Sequence, residues 1–85
     1  MKFQDLKFQP YKDGVQAVCE FPNNWGASIV RHGESYGGKS GLYELAVLKN
    51  GVITGTYFTP ESDQGIEGWL RPEQVEDRLA KIARL

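Results

Sequence analysis

The chain predicts an α+β fold: an antiparallel β-meander of about four to five strands, with one C-terminal helix packed on the sheet. Two dipeptides, Asp13-Gly14 and Asn50-Gly51, each sit between β-type runs and carry the chemistry of a two-residue hairpin turn. A third observation is the stretch behind Pro72, where apolar residues recur at helical spacing. With 85 residues there is room for one small core, so 1–85 reads as a single domain, too short for the two-domain cleft of a nucleotide-handling enzyme.

A hairpin turning at Asp13-Gly14 would place Phe8 opposite Cys19, Leu6 opposite Phe21 and Pro10 opposite Ala17, with Val15 on the same apolar face. Lys7 opposite Glu20 and Gln9 opposite Val18 would make the other face, so a one-residue slip would bury charge. Phe21 to Gly26 is rich in Pro, Asn and Gly and marks a turn into a short strand, Ala27 to His32. The second hairpin joins Leu42–Lys49 to Val52–Phe58, with Tyr43 opposite Phe58, Leu45 opposite Thr56 and Val47 opposite Thr54. Its other face holds Leu42, Ala46, Leu48, Ile53 and Tyr57, so both faces are partly apolar and need cover, from the helix on one side and from a loop or a second subunit on the other. Homodimerisation stays open on that ground. Residues 59–65 are polar and turn-rich, and Ile66 to Leu70 is a short extended segment. In the closing helix, Pro72 suits the first turn, Val75, Leu79 and Ile82 form a stripe, and Leu85 can extend it. Glu73, Glu76 and Asp77 lie toward its start and Arg78, Lys81 and Arg84 toward its end, matching the helix dipole, while Arg71 is a weak N-cap.

Ten Lys and Arg against eleven Asp and Glu leave a net charge of −1, which offers no electrostatic footprint for nucleic acid and no polybasic membrane anchor. No run reaches the length of a membrane-spanning helix, and Met1-Lys2-Phe3-Gln4-Asp5 lacks a signal peptide's apolar block. Cys19 has no partner cysteine and lies in an apolar alternating run, so it reads as a buried thiol in a reducing compartment. The expectation is a soluble, cytoplasmic protein. One His and one Cys make no standard ligand set, and no metal or cofactor is expected.

Residues 28–40, Ser-Ile-Val-Arg-His-Gly-Glu-Ser-Tyr-Gly-Gly-Lys-Ser, carry two motif resemblances. Ile29-Val30-Arg31-His32-Gly33-Glu34 resembles the histidine-phosphatase signature, in which a strand delivers an Arg and a nucleophilic His. That chemistry needs a second His in the phosphate pocket, and the chain has one. Gly33-x-x-x-x-Gly38-Lys39-Ser40 is similar to a P-loop, which requires a helix to open at Lys39 and Ser40 so that its first amides face the phosphates. Gly41 follows at once, and Leu42–Lys49 leads into a hairpin turn; were that run helical instead, with Leu42, Leu45, Ala46 and Lys49 on one face, the P-loop reading would recover. Otherwise Gly33 to Gly41 is a glycine-rich loop between strands. Tyr36 in that loop has two readings, a contact residue or a cover over the sheet edge, and Trp25 and Trp69 are each partner anchors or half-buried core.

Phe21-Pro-Asn-Asn-Trp-Gly-Ala-Ser-Ile-Val, Ser35-Tyr-Gly-Gly, Gly41-Leu-Tyr-Glu-Leu-Ala-Val-Leu, Thr59-Pro and Gly68-Trp-Leu together resemble a group of small uncharacterised tailed-phage accessory proteins. The resemblance implies a bacterial cytoplasm, a role in infection and no cofactor. The expected function is non-enzymatic: binding of a host or viral protein through the sheet rim and glycine loop, by Trp25, Arg31, Tyr36, Gly37, Gly38, Lys39 and Ser40. The alternative is a nucleotide or other small phosphate ligand held by the Gly33–Gly41 loop, with Arg31 and Lys39 as anion contacts.

Overall fold

The computed structural model describes residues 1–53 and 65–85. A 3₁₀ turn over Phe3–Asp5 precedes strands β1 (Gln9–Tyr11), β2 (Gly14–Glu20), β3 (Trp25–Arg31), β4 (Tyr43–Lys49), β5 (Val52–Ile53) and β6 (Ile66–Leu70), and helix α1 (Pro72–Ala83) follows. All pairings are antiparallel, in the order β1-β2-β3-β4, with β5 and β6 both on the far edge of β4. The sheet is thus five strands wide, and the α+β meander with one C-terminal helix is the observed fold.

Two registers differ from the sequence expectation. In the first hairpin Tyr11 pairs with Gly14 and Pro10 with Val15, two positions away from Pro10 opposite Ala17. The turn is Lys12-Asp13, with Lys12 taking the positive φ of 53°. Gly14 is a ladder residue instead: a side chain there would run into the Arg31 carbonyl oxygen and stand 2.9 Å from His32 Cα, so its role is to let β2 and β3 approach closely. Because the shift is by two, each side chain keeps its face. Leu6 and Phe8 still pack on the core, though outside β1.

The second hairpin turns as expected, with positive φ at both Asn50 and Gly51 and Leu48 opposite Ile53. Further along β4 the partner changes. The Gly65 carbonyl accepts from Val47 N at 2.8 Å, then Ile66 faces Ala46, Glu67 faces Leu45 and Leu70 faces Tyr43. β6 therefore takes up the edge of β4 at the ladder position after β5. Thr54, Thr56, Tyr57 and Phe58, like the turn-rich residues up to Gln64, lie outside the described residues.

Alternation in β3 and β4 sends Ala27, Ile29, Tyr43, Leu45 and Val47 to one face, where they meet Leu70 and the helix stripe Val75, Leu79 and Ile82. Leu48 is buried on the second face as well, while Leu85 is exposed and does not extend the stripe. At the helix start the Arg71 amide donates to Gln74 Oε1 at 2.9 Å, supplying the cap that the Arg71 side chain lacks. At its end Asn23 Nδ2, from the β2–β3 turn, donates to the carbonyls of Ile82, Ala83 and Leu85 at 3.0, 3.2 and 3.3 Å. Arg78 on α1 grips buried Glu67 on β6 through two bonds of 2.9 Å, and this contact holds its guanidinium above the ordinary arginine value. Among the described residues no helix is long and apolar enough to cross a membrane.

Candidate functional site

The glycine loop begins where β3 ends. Ser35, nearly buried, ties it down: its Oγ accepts from His32 N and donates to the His32 carbonyl, both at 2.9 Å. Asp13 Oδ1 accepts from Gly33 N at 3.0 Å, joining the loop to the β1–β2 turn, and that bond is the main cause holding the Asp13 carboxyl below the ordinary carboxylate value. Glu34 N donates to His32 Nδ1 at 3.1 Å, and Tyr36 N donates to Glu44 Oε1 on β4 at 3.0 Å. Gly38–Ser40 forms a single 3₁₀ turn between Gly37 and Gly41, both in the left-handed region.

The second wall comes from β6. Leu70 opposes Tyr43 and Glu67 opposes Leu45, so Gly68 and Trp69 together oppose Glu44 alone, a bulge in the strand. At this bulge Trp69 has φ 59°, a left-handed backbone that a bulky residue rarely takes. Its amide donates to the Tyr36 carbonyl at 3.1 Å, and a side chain at position 68 would collide with Tyr36 Cβ. The result is two aromatic side chains standing in solvent beside each other, Tyr36 at 59% and Trp69 at 61% exposure. Between them lies a depression of about 230 Å³ lined by Gly33, Ser35, Gly37, Lys39 and Ser40.

The loop's own bonding decides the P-loop question. Leu42–Lys49 contains strand β4, so no helix opens at Lys39 and the helical alternative is overturned. The amides of Gly33, Glu34, Ser35, Tyr36, Gly38, Ser40, Gly41 and Leu42 all donate to acceptors within the protein. A phosphate cradle needs those donors free and convergent. Arg31 does not join Lys39 either; it turns to the helix side of the sheet, where its guanidinium lies 5.1 Å from the Tyr43 ring centroid and reaches the Tyr43 hydroxyl at 3.2 Å.

No family model, no curated protein and no solved structure matches this chain. The assignment of a site therefore rests on geometry.

Of the residues expected to bind, the structure gathers Tyr36, Gly37, Lys39 and Ser40 around the depression, with Gly38 in the turn beneath. Trp25 stands at the other end of β3, about 20 Å away along the strand. It is half-buried against the core with the Lys49 ammonium 4.6 Å from its ring centroid, which is the core reading of that residue. Trp69 was visible in the sequence as a lone aromatic, and its pairing with Tyr36 was not. The available signal was Gly68, a glycine breaking the alternation of Ile66 to Leu70 as bulges do. Glu44 was missed too, since nothing local shows that its carboxylate holds the Tyr36 amide.

A larger groove of about 510 Å³ lies between the N-terminal turn and α1, lined by Asp5, Glu73, Glu76 and Asp77. Its carboxylates are already engaged: Asp5 with Lys2 N, Glu76 with Phe3 N, Glu73 with Arg71, and Asp77 with Arg78 and Lys81. That groove docks the N-terminal turn on the helix. Among the described residues no group of three or more His, Cys, Asp or Glu is placed to hold a metal ion. Burial of Cys19 pushes its thiol up, away from the reactive thiolate.

Proposed function

We propose that the protein is a non-enzymatic binding module that docks a protein partner on the surface formed by Tyr36, Trp69 and Lys39. The observation that carries this reading is Trp69. A left-handed backbone costs a bulky residue roughly 1–2 kcal/mol, and the strain is normally offset by packing. Here the strained residue points its ring at solvent, so packing does not account for it. Display of two exposed aromatics on fixed backbone, Tyr36 on a loop tied by internal hydrogen bonds and Trp69 on a strand bulge, lowers the ordering cost of association, and Tyr and Trp dominate binding energy at protein interfaces. The non-enzymatic reading is supported by the state of the polar groups: Ser35 Oγ is buried in its own turn, and His32 Nδ1 is occupied by the Glu34 amide. The resemblance to tailed-phage accessory proteins makes a host or viral protein in a bacterial cytoplasm the proposed partner.

A chain carrying a photo-crosslinking residue at position 36 tests the reading in bacterial cells. A discrete adduct that disappears in Trp69→Ala and is absent when the crosslinker stands at position 25 is the expected result. Equal capture from both positions, or capture indifferent to Trp69, would remove it.

A further inference from the structure

We infer that the segment docked at this surface is an extended proline-rich stretch in polyproline II conformation, with an acidic side chain set against Lys39. The inference rests on the docking reading above and narrows it by what the surface can and cannot offer. Eight of the loop amides, all but those of Gly37 and Lys39, donate within the protein, and the carbonyls of Ser35, Tyr36, Gly37 and Gly38 already accept bonds. A partner strand adding to this edge would need both sets of groups, so β-augmentation has no purchase here. A docked helix needs a groove long enough for anchors at i, i+3, i+4 and i+7, whereas this depression of about 230 Å³ is lined only by one short loop and Trp69. What remains on offer is two ring faces and a set of side-chain donors. The Tyr36 hydroxyl, the Trp69 indole N–H and the Lys39 ammonium make no hydrogen bond or ion pair among the described residues.

That inventory suits polyproline II closely. Such a segment has its carbonyls turned outward as acceptors, its prolines have no N–H to satisfy, and proline rings pack flat on Tyr and Trp. Little further entropy is lost because the conformation is populated before binding. Lys39 adds a charge requirement, since among the described residues this cation at the rim of the depression has no ion-pair partner.

The test is an amide NMR titration of the full chain with two synthetic probes: a short oligoproline peptide carrying one aspartate, and a glycine-serine peptide of equal length and charge. Saturable shifts centred on Tyr36, Gly37, Lys39 and Trp69 with the proline probe alone, weakened about tenfold or more by Trp69→Ala, are expected. Tyr36→Phe and Lys39→Ala alter only exposed side-chain tips and should each weaken binding while leaving the spectrum of the free protein folded. Equal shifts with both probes, shifts elsewhere on the sheet, or no shifts at millimolar peptide each overturn the polyproline assignment. In any of those cases a Trp69-dependent crosslink at position 36 would leave the docking reading standing, whereas loss of both removes both.

Discussion

Replacing Gly14 by Asn separates two physical roles for that glycine. If Gly14 were the second residue of an Asp-Gly turn, it would sit in the left-handed region, which Asn tolerates at little cost. In the structure it is instead paired with Tyr11 in β2, and any Cβ there runs into the Arg31 carbonyl oxygen and stands 2.9 Å from His32 Cα. Both obstacles are backbone of β3, so no side chain can rotate away. The ladder must open at Val15 opposite Arg31, beside the start of the glycine loop. Overpacking of this kind costs about 1–3 kcal/mol, and with a rigid neighbour the upper half of that range is expected, about 2–3 kcal/mol. For a domain of this size the urea m-value is about 1 kcal/mol/M, so the midpoint should fall by about 2–3 M. Lys12→Asn is the matched control: Lys12 carries the turn's positive φ, and Asn there should stabilise by about 0.5 kcal/mol. Urea unfolding followed by far-UV circular dichroism reads both. A Gly14→Asn midpoint within about 0.5 M of wild type would refute the close-approach argument and return Gly14 to the turn.

Asn23→Ala removes the amide that caps the Ile82 and Ala83 carbonyls of α1 and the Leu85 carbonyl just beyond it, and the Oδ1 that accepts from Trp25 N at 3.0 Å, and should cost about 1–3 kcal/mol, visible as a lower melting temperature. Glu67→Ala removes two bonds from the Arg78 guanidinium, which is 13% exposed and keeps the exposed Asp77 as a partner, for a loss of about 2–3 kcal/mol; the double variant Glu67→Leu, Arg78→Met should recover most of it in the same urea assay. Acid titration gives a further check. Asp13 is held low mainly by the Gly33 amide, Glu73 mainly by Arg71 and Asp77 mainly by Lys81, so each contributes stability that is complete above the ordinary carboxylate range. That contribution is lost as pH falls through the depressed folded values, below about pH 4, and an Asp13→Ala variant should show a shallower loss there. A variant whose stability falls as steeply as wild type in that window would show that the Gly33–Asp13 bond carries no linkage.

Alternation and turn chemistry made most of the architecture legible. Asn50-Gly51 sits where both central residues have positive φ, β4 alternates as read, and Val75, Leu79 and Ile82 form the buried stripe of α1. The glycine loop was visible as a loop, because Gly37 and Gly41 permit backbone that other residues resist. Asp13-Gly14 misled because a glycine serves two purposes, positive φ and close approach, and the letters do not say which. Which of them applies depends on a neighbouring strand reached only through the β2–β3 turn.

The local sequence by itself determined the Asn50-Gly51 turn and the apolar stripe of the C-terminal helix, since periodicity and turn preference act over a few residues, whereas Leu42–Lys49 stayed open between strand and helix and Trp25-Gly26, read as turn, begins β3. Tertiary structure alone decided that β6 pairs with β4 from Tyr43 to Ala46. It alone brought Trp69 beside Tyr36 and sent Trp25 and Arg31 elsewhere. Those outcomes depend on strand register and on a bulge, both set by packing between segments far apart in the chain, where a shift of one or two residues changes every neighbour.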